Sequence, residues 1–510
     1  LGANSEVLVG LKDVYRVGID KSRVSAEQAQ TSATALAGLM GIDAAAYAKT
    51  VAASGPAQFV VAITLRVDDA RIAGRTAAVQ AIPGGAAMPG TAMLAPTATF
   101  ARALLGTVGP ATAELVAKSG GRISATDTVG LSGLQLRYDE ALSGQPALVV
   151  TAKGTDAAGQ PTSRTLFTRQ AVPGVILTTT LDRQAQDVAE ATLAAAPGSA
   201  ALVAIRPSTG EIVAAANSPG TNGLPLATTG QAAPGSTFKI VTALALLRAG
   251  LTPDSLVSCT ETVTVDGRVF KNYDNYPASG LGEIPLRTAL ANSCNTAFIS
   301  QRDLVSQADL ADAAAALGVG VAYDTGYSGF VGSVPREATK TEHAASMIGQ
   351  GKVTASALSM AIVMATVVHG STLLPRLVER PSVPTAAKSD APQASSPTTS
   401  APTASSAPTA TPAPTVPPAP AKPLTAAEAV ALRTMLSGVV SDGSARSLIG
   451  VADGAKTGTA EYDASGTTKV HAWMVAFRGD LAVAAYVEEG VSGSKTAGPL
   501  VAAFLKGYAG

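Results

Sequence analysis

The sequence predicts an α+β protein of two or three domains. Three observations carry this. At 510 residues the chain is too long for one ordinary core. Over residues 8–150, short β-type runs mix with Ala-rich helical stretches. Beyond residue 171, hairpin signals near both ends bracket a largely helical middle. With 46% hydrophobic residues against 15% charged, the chain can bury a sizeable core.

The elements follow in order. VYRVGI (14–19) and FVVAITLRV (59–67) read as strands, and 26–40, 96–106 and 111–118 as helices. This part contains no catalytic grouping. After the turn at Pro173 and Gly174, VILTTTL (175–181) reads as a strand leading into a helix over 182–196. SAALVAIRPSTGEIVAAAN then gives two strands joined by a turn at 207–210. Helices dominate from 236 to about 370. Residues 380–423 are rich in Pro, Ala, Ser and Thr and lack the apolar surface to offset ordering entropy, so they should be disordered or extended. A helix over 425–440 precedes AKTGTAEY, and HAWMVAFRGDLAVAAYVEE reads as a hairpin before a closing helix over 497–508. Within that hairpin Arg478, Gly479 and Asp480 spell an adhesion tripeptide, but between two apolar strands they read as the turn.

Composition excludes several functions. The 37 basic and 37 acidic residues cancel and no Lys/Arg run stands out, so no nucleic-acid partner is expected. His343, His369 and His471 form no cluster, and Cys259 and Cys294 form no C-x-x-C, so neither a metal nor another cofactor is expected. The two cysteines can form a disulfide, valued at about 3 to 4 kcal/mol by loop closure, or stay as buried thiols in a reducing compartment. No run of 18 apolar residues spans a membrane. The chain opens at Leu1 with no signal peptide, and is expected to be a piece of a longer protein whose targeting segment lies upstream.

Chemistry concentrates in three short motifs. In PGSTFKIVTA, Pro234 and Gly235 interrupt the preceding structure, and Ser236 opens a helix over 236–247 whose residues leave almost no polar face. Positions three apart stand over one another, so Ser236 and Lys239 can meet. A desolvated lysine loses its proton easily and can act as base to a serine nucleophile. The alternative is a capping serine and a lysine whose stem snorkels to water. Ser492 and Lys495 match the same S-x-x-K pattern, but in a Gly-rich stretch that reads as a loop without a helix. Two further motifs decide between the readings: Ser293, Cys294 and Asn295 in RTALANSCNTAFIS, near or within a helix, and Lys456, Thr457, Gly458 and Thr459 opening a strand. In this order, S-x-x-K, S-x-N and K-T-G are the set of penicillin-binding proteins and serine β-lactamases.

From about 171 to 510 the sequence resembles that superfamily. ATTGQAAPGSTFKIVTAL, LANSCNTAFI, SMIGQGKVTASALSMA and AKTGTAEY followed by HAWMV look like class B penicillin-binding proteins, and GLSGLQLRYDEALSGQP resembles the end of their noncatalytic pedestal. The resemblance implies a truncated pedestal or dimerisation-type domain over 1–170. It also implies a transpeptidase domain over 171–510, built on a central antiparallel sheet flanked by helices and carrying the Pro-rich segment as a surface insertion. It further implies a serine-type D-alanyl-D-alanine transpeptidase that cross-links peptidoglycan stem peptides, is acylated by β-lactam antibiotics, and works with a glycosyltransferase of the division or elongation machinery. Ser236 would be the nucleophile and Lys239 its base. Ser293 would relay a proton, with Asn295 holding substrate and Lys239. Lys456, Thr457 and Thr459 would bind a terminal carboxylate, Gly458 would let the acyl chain lie on the strand, and the backbone N–H groups of Ser236 and Thr459 would form the oxyanion hole. An actinobacterial source and an extracytoplasmic position behind an N-terminal anchor are implied as well. DD-carboxypeptidation, β-lactam hydrolysis with Glu342 as the candidate carboxylate, and a non-turnover sensor or scaffold are the competing expectations.

Overall fold

A computed structural model describes residues 1–379, 420, 422–464 and 466–508. Most of the expected Pro-rich insertion therefore lies outside the described residues. The chain divides into two compact units, Val7–Phe100 and a larger unit formed by Leu1–Glu6 with Ala101–Gly510.

In the smaller unit, strand Gly10–Asp20 lies between Phe59–Arg66 and Gly85–Leu94, antiparallel to both. Helix Ala26–Met40 opens on a Ser25 and Gln28 capping box, and buries Ala29, Ala33, Leu36, Ala37 and Met40 in the core. The strand at 85–94 escaped the sequence reading because Pro89 and its glycines and alanines have low β propensity. Sheet pairing overrides that propensity.

The larger unit is built on a five-stranded antiparallel sheet. We number its strands β1 (Ala200–Arg206), β2 (Glu211–Asn217), β3 (Gly454–Ala464), β4 (Thr467–Arg478) and β5 (Leu481–Val487). The order is β3-β4-β5-β1-β2, so among the described residues one side of β3 has no strand partner. Every residue of β5 is buried, so both of its faces are covered. Helices Arg183–Leu193, Ala357–His369 and Gly498–Gly507 pack on the sheet, and Ala426–Ser441 packs against β3. At the turn after β4, Asp480 accepts hydrogen bonds from the backbone N–H and hydroxyl of Ser208, tying the two hairpins together.

Three local expectations need correction. The helix expected at 96–106 shrinks to Arg102–Leu105, because Pro96 precedes it and Ala101 adopts a left-handed φ of 45°. Residues 175–181 form no strand. Their amides bond in turn to Leu1, Leu377 and, at Asp182, Val213, so no single partner supplies a ladder. Ser492 and Lys495 do lie on a helical turn, Gly493–Ala497, with Ser492 capping it and Lys495 exposed.

Trp473 on β4 is fully buried and donates from Nε1 to Ala233 O at 3.0 Å, joining the sheet to the approach of the S-x-x-K turn. Trp473→Ala should lower unfolding free energy by about 3 to 5 kcal/mol through the cavity it leaves. Trp473→Phe should cost less, about 1 to 3 kcal/mol, chiefly by leaving the Ala233 carbonyl unpaired. Denaturant melts check both.

Candidate active site

The S-x-x-K segment is a 3₁₀ turn, Gly235–Phe238, that runs into an α-helix, Lys239–Arg248. Ser236 thus lies inside the turn rather than capping an α-helix. The tighter winding eclipses positions i and i+3 and stacks Lys239 directly over Ser236. Ser236 is half-buried and Lys239 has no exposed surface. The turn is held by SMIGQGKVTAS: Gly235 N–H donates to Gly349 O at 2.9 Å, Thr242 Oγ1 donates to Met347 O at 2.9 Å, and Ala232 and Ala355 bond reciprocally.

Backbone packs directly on backbone around this turn. Gly235 has a φ of 52°, and a Cβ there would sit 2.5 Å from Thr459 O. A Cβ on Gly458 would sit 2.7 Å from Pro234 O. The missing side chain of Gly458 therefore admits the Ser236 turn. Lys456 Nζ reaches Thr457 O at 3.1 Å, and Thr459 O faces Gly235. The N–H and C=O of one strand residue point the same way, so the N–H groups of Thr457 and Thr459 face the unpaired side of β3, beside Ser236.

Ser293 stands between helices Leu286–Ala291 and Asn295–Ser300 with a left-handed φ of 60°, unusual for a non-glycine residue. This conformation brings both its polar groups to the lysines. Lys239 Nζ lies 2.7 Å from Ser293 O, 2.6 Å from Asn295 Oδ1 and 3.3 Å from Ser293 Oγ. On the other side Lys456 Nζ donates to Ser293 Oγ at 2.9 Å. The three motifs thus converge on one serine hydroxyl. Thr457 Oγ1 pairs with Ser444 Oγ at 2.8 Å, and Thr459 Oγ1 accepts from Gly493 N–H at 3.3 Å.

Burial, then the nearby charge of Lys456, holds the Lys239 amine well below the usual lysine range. Burial alone brings Lys456 down to about 7. A neutral amine has two N–H donors and one lone pair. Ser293 O and Asn295 Oδ1 take the two donors of a neutral Lys239, which leaves its lone pair for a hydroxyl, and Ser293 Oγ at 3.3 Å is the hydroxyl within reach. Glu342 is engaged elsewhere: it closes a capping box with Thr339 and pairs with Lys352 at 2.7 Å, which with the Thr339 N–H pulls its carboxyl down to about 2.

Cys259 and Cys294 are joined by a disulfide with Cα atoms 6.3 Å apart, anchoring the residue between Ser293 and Asn295 to strand Leu256–Cys259. Sequence reasoning missed Ser444 and Asn272, which belong to no motif. Asn272 is buried, and its Oδ1 accepts from Asn295 N–H at 2.7 Å.

Fold and site together define a family. Residues 200–506 match the penicillin binding protein transpeptidase domain, and residues 1–179 match the penicillin-binding protein dimerisation domain. The chain belongs to this family and has the architecture of a class B penicillin-binding protein. It is similar to the peptidoglycan D,D-transpeptidase PbpA of Mycobacterium tuberculosis, with 28% identity over 351 residues, covering 60% of this chain and 65% of the relative. The PbpA of Mycolicibacterium smegmatis is 29% identical over 333 residues, 58% of this chain and 62% of that one. The matched region spans less than two thirds of the length of these curated relatives. A solved structure described as "Structural coordination of polymerization and crosslinking by a peptidoglycan synthase complex" shares the fold, with a TM-score of 0.68, 23% identity, and coverage of 100% of this chain and 89% of that one.

Two measurements follow from this geometry. A thiol titration of denatured, unreduced protein should find no free cysteine, and reduction should lower stability by about 4 kcal/mol on the chain-entropy estimate. The folded chain releases the Lys456 proton near pH 7, whereas the unfolded chain keeps it to about 10.5. Between those values the unfolded state binds more protons, so stability rises with pH. The denaturant midpoint should climb from pH 7 to 10 and climb less in Lys456→Met. Equal slopes would contradict the assignment.

Proposed function

We propose that this chain is a penicillin-sensitive, serine-type D-alanyl-D-alanine transpeptidase that cross-links peptidoglycan. The observation that carries the reading is the buried Lys239 amine, its N–H groups engaged by Ser293 and Asn295 beside a second buried amine on Lys456. The names of the PbpA relatives support the same activity.

In the proposed reaction a stem peptide lies along the unpaired side of β3, its terminal carboxylate drawn to Lys456 and the hydroxyls of Thr457 and Thr459. Ser236 Oγ attacks the carbonyl of the penultimate D-alanine as its proton passes to Lys239. The N–H groups of Ser236 and Thr459 stabilise the oxyanion. Ser293, between the two amines, passes a proton to the departing nitrogen, and D-alanine leaves. An amine of a neighbouring stem then attacks the Ser236 ester, forming the cross-link and freeing the serine. A β-lactam enters the first step and stops at the ester. Residues 171–510 would hold this machinery and residues 1–170 the noncatalytic domain. We place the enzyme outside the cytoplasmic membrane, where its substrate lies and a disulfide persists. A glycosyltransferase partner is proposed by extension from the synthase complex of the structural relative. Glu342, already paired with Lys352, offers little support for β-lactam hydrolysis.

A fluorescent penicillin should label the wild type and leave Ser236→Ala unlabelled, while Lys239→Ala should slow acylation by about 10²- to 10⁴-fold. Labelling that survives Ser236→Ala would overturn the nucleophile. Mass spectrometry of a stem-peptide donor with an amine acceptor should show a dimer lacking one D-alanine. A product that is only hydrolysed would point to a carboxypeptidase instead.

A further inference from the structure

Asn295 presents its oxygen to Lys239. Its own orientation is fixed by a neighbouring segment. Asn295 Nδ2 donates to Lys271 O at 2.9 Å, which turns Oδ1 toward Lys239 Nζ at 2.6 Å. The backbone under Asn295 is held by the next residue of that segment. Asn272 Oδ1 accepts from the N–H groups of both Asn295 and Thr296, at 2.7 and 3.3 Å, at the start of helix Asn295–Ser300. Asn272 is only 6% exposed, and its Nδ2 donates to Thr260 O at 2.9 Å, where Thr296 Oγ1 also donates at 2.7 Å. Thr260 follows Cys259 of the disulfide. A single amide therefore joins the strand Arg268–Lys271, the disulfide-bearing strand Leu256–Cys259 and the S-x-N motif.

We propose that Asn272 is a positioning residue for acyl transfer, which sets the angle at which Asn295 meets the base, Lys239. This rests on the reading of Lys239 as base. Asn272 has the chemistry the position requires. A carbonyl oxygen accepts two adjacent N–H groups while the amide nitrogen anchors the side chain to a carbonyl, so neither a hydroxyl nor an apolar side chain replaces it. With Asn272 removed, the Asn295 backbone loses its partner, and the bond from Asn295 Oδ1 to Lys239 lengthens or breaks. That bond is stronger to the ammonium than to the amine, so its loss favours the neutral form of Lys239. Among the described residues Lys456 is the charged group acting on Lys239. Ser293, Asn295 and Phe298 beside it are neutral, and Lys271 pairs with Asp274 at the surface.

The test is the pH dependence of penicillin acylation in the full chain, with thermal melts alongside. In Asn272→Ala the plateau rate should fall by about 10- to 100-fold, as the three hydrogen bonds of the side chain are lost. The acid limb should move to lower pH. In Asn272→Asp the carboxylate keeps both N–H bonds, loses the donor to Thr260 O and adds a negative charge near Lys239. The plateau should then fall less than in Asn272→Ala, and the acid limb should move to higher pH. If Asn272→Ala does not fold, the aspartate variant alone decides. An unmoved limb in a folded variant, or a rate lost only in proportion to the unfolded fraction, overturns the role for Asn272. Failure of the base itself shows separately: Lys239→Ala would then acylate at the wild-type rate.

Discussion

Two buried amines share one serine hydroxyl, and the rest of the larger unit is arranged around that constraint. Lys239 and Lys456 are both fully buried, and both lie within hydrogen-bond reach of Ser293 Oγ. Two ammonium groups so placed would repel each other and lose their hydration, so the fold favours taking a proton from one of them. Among the described residues no carboxylate contributes to that shift. Burial provides the driving force, and the carbonyl of Ser293 and the amide of Asn295 give the neutral amine its partners.

Each part of that arrangement comes from a different stretch of chain. Lys239 rides on the helix after the 3₁₀ turn, Ser293 on a left-handed link between two short helices, and Lys456 on the edge strand of the sheet. Contact between the turn and the strand is close because Gly235 and Gly458 present bare backbone to each other's segment. The disulfide and Asn272 brace the link from the other side. Rigid elements therefore meet at the serine from three directions, which is how a left-handed conformation costing about 1 to 3 kcal/mol can persist there.

Much of this was legible in the sequence, and the reasons differ by element. Helices Ala26–Met40 and Ala426–Ser441 lie in stretches that read as helical from composition, and the sheet hairpins show as apolar runs around tight turns. The motif residues were legible because their spacing is chemical. What escaped was set by tertiary contact. Asn272 and Ser444 carry no motif, and their importance arises only from what the fold brings beside them. The strand at 85–94 forms against its propensity, and residues 175–181 are shared among several partners. Gly458 was legible as a place where a side chain would interfere, but the sequence could not say that the neighbour was the protein's own backbone.

The sheet order has a consequence for how the molecule comes into being. β1 is hydrogen-bonded to β5, which follows β3 and β4 in the chain and is separated from β1 by most of the larger unit. A sheet closed by such distant segments must wait for loop closure over most of the unit, so it forms slowly and late. During synthesis the segment with Ser236 emerges long before the strand with Lys456. Until that strand is in place, Lys239 lacks its second amine and Ser236 lacks the Thr459 N–H. On the proposed mechanism the nascent chain is inert by topology until β3 joins the sheet.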